Sequence, residues 1–224
     1  GRKPLLVPRE GGKFYEDNWL KVLRRPSNFV MVETWNEFHE GTDVAESKEY
    51  GRKFIDLTRK YSDLFKQNWQ PSWPGGKYTG EKSVTVTLGR ENLEEGLRQV
   101  EHEDGMTLPV VNRELAGRGV NRRPGQGTYV YFVADDSFKW TGATDVTLEV
   151  DYHDVSPGML AVEFDGSDPL APFGGAYTRS PKSVPLDGSQ RWKTARFPLP
   201  QARFLNSQNR GADFRLFVGA SNFF

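Results

Sequence analysis

The chain has 224 residues, which at roughly 150 per domain is enough for one large domain or two small ones, each with a real apolar core. Lys+Arg 30 balance Asp+Glu 30, so no global field draws the chain toward nucleic acid or an anionic membrane. No stretch is apolar enough to span a bilayer, and with no cysteine, disulfides, thiolate nucleophiles and Cys-ligated zinc are all excluded.

Along the chain, Pro4-Leu5-Leu6-Val7 reads as a strand end, followed by the turn pair Gly11-Gly12. Trp19, Val22 and Leu23 at helical spacing, with Arg24-Arg25 and then Pro26, predict a helix over residues 18–25. The apolar run Phe29-Val30-Met31-Val32 passing into Glu33-Thr34-Trp35 predicts a strand buried on both faces, the kind found in parallel sheets. Ser47 is the predicted N-cap of an amphipathic helix carrying Tyr50, Phe54, Leu57, Tyr61, Leu64 and Phe65.

Residues 70–80, with two Pro and three Gly, break every period and mark a boundary near residue 75. Beyond it the texture is that of short strands at 83–88, 128–133, 146–150, 159–164, 194–197 and 214–218, separated by Gly, Pro, Asp and Asn clusters. Antiparallel strands without helices between them predict a β-sandwich of jelly-roll type.

The densest chemistry lies at the end of the predicted buried strand. Glu33, Trp35, Asn36, Glu37, His39 and Glu40 fall within eight residues, an expensive set of polar groups unless it forms a site. Two carboxyls of different protonation state are what glycosidic-bond hydrolysis requires. The alternative is a solvated loop with ordinary charges.

These residues resemble a known family. Asn36-Glu37-Phe38-His39-Glu40-Gly41-Thr42, with Phe14-Tyr15 and Trp19 before it and Tyr50-Gly51 and Thr58 after it, is similar to the last strand and helix of glycoside hydrolase families 99 and 71. Phe38 stands where the family usually has Trp. The resemblance covers about residues 11–66 and implies a (β/α)8 barrel. It further implies that Glu37 assists the sugar 2-hydroxyl as it attacks the anomeric carbon and that Glu40 is the general acid/base. Glu33, Trp35, Asn36 and His39 would then contact substrate. Residues from about 83 onward are similar to the carbohydrate-binding β-sandwich modules that follow such barrels.

The resulting expectation is a multidomain α/β plus all-β chain. Residues 1–72 are the C-terminal part of a (β/α)8 barrel, 73–82 a linker, and 83–224 a jelly-roll-type β-sandwich. One strand–helix unit cannot close a barrel of ~250 residues. The remainder would come from further chain or from a partner. The expected function is the C-terminal portion of a secreted or periplasmic glycoside hydrolase acting on polysaccharide or oligosaccharide, of retaining endo type. The alternative is a non-catalytic carbohydrate-binding or assembly protein, in which Trp140, Tyr152, Tyr177 and Trp192 either pack in the core or stack on sugar rings. No cofactor is expected, although Asp135, Asp136, Asp151, Asp154, Asp165 and Asp168 are hard oxygen ligands of the kind that hold a structural calcium. Three scattered histidines propose no zinc site.

Overall fold

The computed structural model describes residues 7–24, 28–69, 76–102, 104–112, 115–120, 128–139 and 142–219. Expectations placed on residues 4–6, 70–75 and Trp140 lie outside them. The chain divides into two compact units, residues 1–73 and 74–224.

The first unit is built on two helices, α1 (Lys13–Leu23) and α2 (Lys53–Lys66). Tyr15, Trp19 and Leu23 recur every four residues along α1, and Leu57, Tyr61 and Leu64 follow at spacings of four and three along α2, so each helix offers one apolar stripe. The stripes meet, with Trp19 stacked on Tyr61 at 6.0 Å between ring centroids. Polar tips are satisfied across the seam: Tyr61 donates to Glu16 at 2.8 Å, and the Tyr15 and Thr58 hydroxyls lie 2.7 Å apart. The predicted cap Ser47 instead pairs with Gly51 in an isolated bridge, and α2 begins at Lys53.

This unit corrects the barrel expectation. Among its described residues there is no β-strand, and the segment expected as a buried parallel strand is irregular and exposed, with Phe29 77%, Met31 72% and Trp35 63% accessible. A parallel strand needs hydrogen-bonding neighbours and helices over both faces. Residues 28–35 lack them, so apolarity alone does not make a strand here. The resemblance to families 99 and 71, and the completion of a barrel by further chain or a partner, are therefore withdrawn.

The second unit is predominantly β. Its strands are β1 (Thr85–Thr87), β2 (Leu93–Glu95), β3 (Leu97–Val100), β4 (Thr107–Asn112), β5 (Leu115–Val120), β6 (Tyr129–Ala134), β7 (Thr144–His153), β8 (Pro157–Phe164), β9 (Thr178–Asp187), β10 (Trp192–Ala202) and β11 (Phe214–Val218). Five form one antiparallel sheet in the order β3-β6-β11-β8-β9. Strands β7 and β10 pair antiparallel in a second layer. Alternate residues of both layers converge: Val130, Phe132, Leu160, Val162, Phe164, Phe214 and Leu216 from the first share one core with Val150, Tyr152, Phe197 and Leu199 from the second. That is the layering of a β-sandwich. Residues 76–82 also belong to this unit, the Tyr78 amide donating to Ser137 Oγ at 3.1 Å.

Three aspartates with no exposure hold the sandwich loops in place. Asp154 accepts from the Gly188 and Ser189 amides, the Ser189 hydroxyl and Lys193 Nζ, closing the β9–β10 turn. Asp165 accepts from the Leu205 amide at 2.7 Å. Asp213 takes the Ala134 and Asn206 amides, both at 2.9 Å. Burial alone would push the Asp154 carboxyl up, but its contacts with Asp187, Lys193, Ser189 and Gly188 hold it well below the usual range.

A group lowered in the folded state stabilises above its unfolded value of 3.8 and loses that contribution as pH falls further. The melting temperature should therefore decline on acidification below about pH 4, and Asp154→Ala should flatten that decline. At neutral pH the same variant should cost on the order of 3 kcal/mol, because Lys193 and three turn donors lose their acceptor. Thermal melts of both proteins across pH check this.

Candidate functional site

The residues expected to act in the first unit lie on one turn. Phe38, Glu40, Gly41 and Thr42 amides bond back to Asn36, Glu37, Phe38 and Glu37 carbonyls, folding residues 36–42 tightly. Arg9 anchors the turn from outside. Its Nε donates to the Gly41 carbonyl and its Nη2 to the Asp43 carbonyl, both at 2.8 Å, while its guanidinium lies 4.2 Å from the Phe54 ring centre on α2. His39 sits between the two glutamates, Nδ1 3.3 Å from Glu37 and Nε2 4.0 Å from Glu40. One ligand atom from each of the three falls within 4.8 Å of the others, and this is the metal-capable group found among the described residues. The structure thus brings Glu37, His39 and Glu40 together. Glu33 and Trp35 precede the turn, and Asn36 opens it; Trp35 is exposed.

The aspartates considered for calcium take part in local backbone and side-chain bonds. Asp135 caps Ser137, Asp168 takes the Leu170 amide, and Asp151 takes the Thr194 hydroxyl.

A second site, absent from the sequence-based candidates apart from Tyr177, occupies the outer face of the five-stranded sheet. Strand alternation that sends Val130, Phe132, Phe214 and Leu216 inward must send Tyr129, Tyr131, Arg215 and Phe217 outward. Pairing register then sets Val100, Tyr131, Arg215, Glu163 and Arg179 side by side in one row across all five strands. Arg215 is the centre of this row. Its Nε donates to Glu163 at 2.7 Å and its Nη1 to the Tyr131 hydroxyl at 2.8 Å. Its guanidinium lies 3.7 Å from the ring centre of Tyr129 and 4.3 Å from that of Tyr177. The Tyr131 hydroxyl in turn donates to Asp104 at 2.9 Å and accepts from Asn209 at 3.1 Å. Burial pushes the Tyr131 phenol up to about 12, against the opposing pull of Arg215, so it remains a neutral donor at any ordinary pH.

Two glycines let neighbouring loops approach this face. A Cβ at Gly105 would stand 2.6 Å from the Tyr131 ring, so only glycine lets the loop after β3 cross it. Gly175, at φ +94°, has no room for a Cβ against the Gly166 carbonyl at 2.5 Å. The turn that Gly175 ends presents Phe173 to solvent, 81% exposed, with its edge against Tyr177 at 5.5 Å between centroids. Between that turn and the sheet lies a cleft of about 770 Å³, bounded by Phe173, Tyr177, Arg179, Glu163, Asn209 and Arg215. A larger cleft of about 1300 Å³ is lined by core side chains such as Phe132, Leu199 and Leu216 and also by polar groups of residues 81–87, β7 and β10, among them Thr85, Glu149, Lys193 and Thr194.

Of the aromatics considered for sugar stacking, Tyr152 is in the core. Trp192 lies against His153 at 5.6 Å, and Tyr177 walls the cleft. The signal for Phe173 was present in the sequence: a large apolar residue inside Pro172-Phe173-Gly174-Gly175 has no strand or helix to bury it.

No helix among the described residues is long and apolar enough to cross a membrane. Comparison of the chain with protein-family models and with curated proteins finds no match.

Because Glu163 is largely buried against Arg215, Arg215→Met should leave that carboxylate with only the solvent-exposed Arg179 as a cationic partner and cost about 3 kcal/mol in a denaturant titration. Arg179→Ala, whose side chain is 85% exposed, should cost less than about 0.5 kcal/mol.

Proposed function

We propose that this chain binds polysaccharide through the outer face of its five-stranded sheet, in the cleft between Phe173 and Arg179. The observation that carries this reading is the presentation of Phe173. A bulky residue in the left-handed region (φ 55°), at a turn tip and 81% exposed, is unfavourable on both backbone and solvation grounds. It contributes nothing to the core, so its cost is explained by a ligand that covers it. Sugar rings have an apolar C–H face suited to an aromatic ring and a rim of hydroxyls suited to charged and amide groups. Phe173 and Tyr177 offer the first, and Arg179, Glu163 and Asn209 offer the second. The cleft volume falls in the range of small-molecule and oligomer subsites. A polysaccharide partner accords with a secreted or periplasmic protein.

Isothermal titration calorimetry of the full chain against a panel of soluble neutral and acidic polysaccharides tests this. At least one should bind, and Phe173→Ala should weaken it about tenfold, near 1.4 kcal/mol, with no change in melting temperature. Equal affinity in wild type and variant would overturn the reading.

A second reading concerns the Glu37–His39–Glu40 turn and keeps hydrolytic chemistry in view. One carboxylate oxygen from each glutamate lies within 4.8 Å of the other, short of the roughly 6.5–9.5 Å that an inverting pair needs for its water. Such closeness suits a retaining reaction on a glycosidic bond, in which Glu37 attacks the anomeric carbon as Glu40 protonates the leaving oxygen, and water activated by Glu40 then releases the sugar from Glu37. Under this reading the chain cleaves the polysaccharide it binds. Glu40→Gln, at an exposed position, should then abolish release of reducing ends while leaving thermal stability unchanged. Unaltered turnover in that variant would remove Glu40 from the chemistry.

A further inference from the structure

The buried end of the sandwich holds a lysine that the glycan-binding reading does not use. Lys139 follows β6, and its side chain is only 1% exposed. Its Nζ lies 2.8 Å from Asn206 Oδ1, 2.8 Å from Asp213 Oδ2 and 2.9 Å from Asp136 Oδ1. Asp136 is a solvent-exposed carboxylate, whereas Asp213 has no exposure. Lys139 shares its cavity wall with Phe132, Phe138, Phe204 and Phe214. An amine, a carboxamide and a fully buried carboxyl are thus held together at an aromatic-lined place.

The three groups are also fixed in position. Asp213 Oδ1 accepts the Asn206 backbone amide and its Oδ2 accepts the Ala134 amide. Asn206 and Asp213 both lie in the loop joining β10 to β11, and that loop is bridged internally by the Gln208 amide on the Ala212 carbonyl. Reacting groups held at contact distance gain the rate advantage of an intramolecular reaction.

We propose that Lys139 and Asn206 become joined by an intramolecular isopeptide bond, with Asp213 carrying the proton between them. A proton moves from the Lys139 ammonium to the Asp213 carboxylate, which frees the Nζ lone pair in an environment that disfavours separated charge. Nζ attacks Asn206 Cγ, one bond beyond the oxygen it already contacts. The Nζ–Cγ bond forms as the Cγ–Nδ2 bond breaks. The further proton that Nζ loses passes to Nδ2, relayed by the Asp213 carboxyl, and Nδ2 departs as ammonia. Amine and amide give amide and ammonia, so no oxidant, metal or other reactant is consumed. Burial pushes the Asp213 carboxyl up to about 6, which suits a group that must both accept and return a proton near neutral pH. The product replaces a buried charged pair by a neutral amide and closes a loop between positions 67 apart, restricting the unfolded chain as a disulfide would in a chain that has no cysteine.

The test is the intact mass of the purified, denatured full chain, followed by tryptic peptide mapping. The expected mass is about 17 Da below that of the sequence, the ammonia lost, with a branched peptide in which uncleaved Lys139 is linked to the fragment containing Asn206. Asn206→Ala should restore the full mass, and Asp136→Asn should not. Asp213→Asn should also restore it where that variant folds; the wild-type mass decides the matter without it. A full sequence mass with ordinary cleavage after Lys139 would overturn the proposal, and so would a 17 Da loss mapped to any other residue.

Discussion

A largely buried guanidinium fully paired on the outer face of a sheet is the interaction on which the second unit's surface depends. Arg215 lies on a central strand, and burial of a cation there is tolerable only with full pairing. Glu163 supplies the opposite charge, the Tyr131 hydroxyl accepts a further N–H, and the rings of Tyr129 and Tyr177 cover the two sides. Those four partners come from β6, β8 and the approach to β9, so one residue ties together the strands flanking it. At the margin of this network stand exposed Phe173 and, bonded to Glu163 and to the Tyr131 hydroxyl, Arg179 and Asn209, and these border the cleft.

The opposite face of the same strands explains why the row stays in register. A slip of one residue in β6 or β11 would turn Phe132 or Leu216 to water and drive Tyr131 or Arg215 into the core. Buried Asp154, Asp165 and Asp213 then add fixed acceptors where loops leave the sheets. Core, sheet register and surface chemistry are therefore one constraint seen from two sides. The placement of polar groups for a ligand follows from packing that has no ligand in it.

Much of the sandwich was legible in the sequence, because period-two alternation in Tyr129–Ala134 and Phe214–Val218 is a local signal. Strand β9 was not, since Arg179, Pro181, Lys182 and Pro185 read as loop; it is an edge strand, where proline and charge are tolerated. The outward row escaped for a different reason. Tyr131, Arg215 and Glu163 become neighbours only through pairing between segments far apart in the chain, and no local spacing carries that information. In the first unit the error ran the other way. The run Phe29-Val30-Met31-Val32 has the composition of a buried parallel strand, but strand formation requires partners, and among the described residues none pairs with it. The cluster of Glu37, His39 and Glu40 was legible because three residues within four positions are brought together by a single turn, whatever surrounds them.

The central claim is that the cleft beside Phe173 is a carbohydrate-recognition surface. Its most direct test is an NMR titration of the isotopically labelled full chain with the polysaccharide fragment that binds best. Backbone amide shifts should move with saturation at Phe173, Tyr177, Arg179 and Asn209, and stay fixed on the opposite layer around Trp192 and Arg196. Shifts confined to that opposite layer, or to the turn of Glu37 to Glu40, with the Phe173 cleft unperturbed, would contradict it.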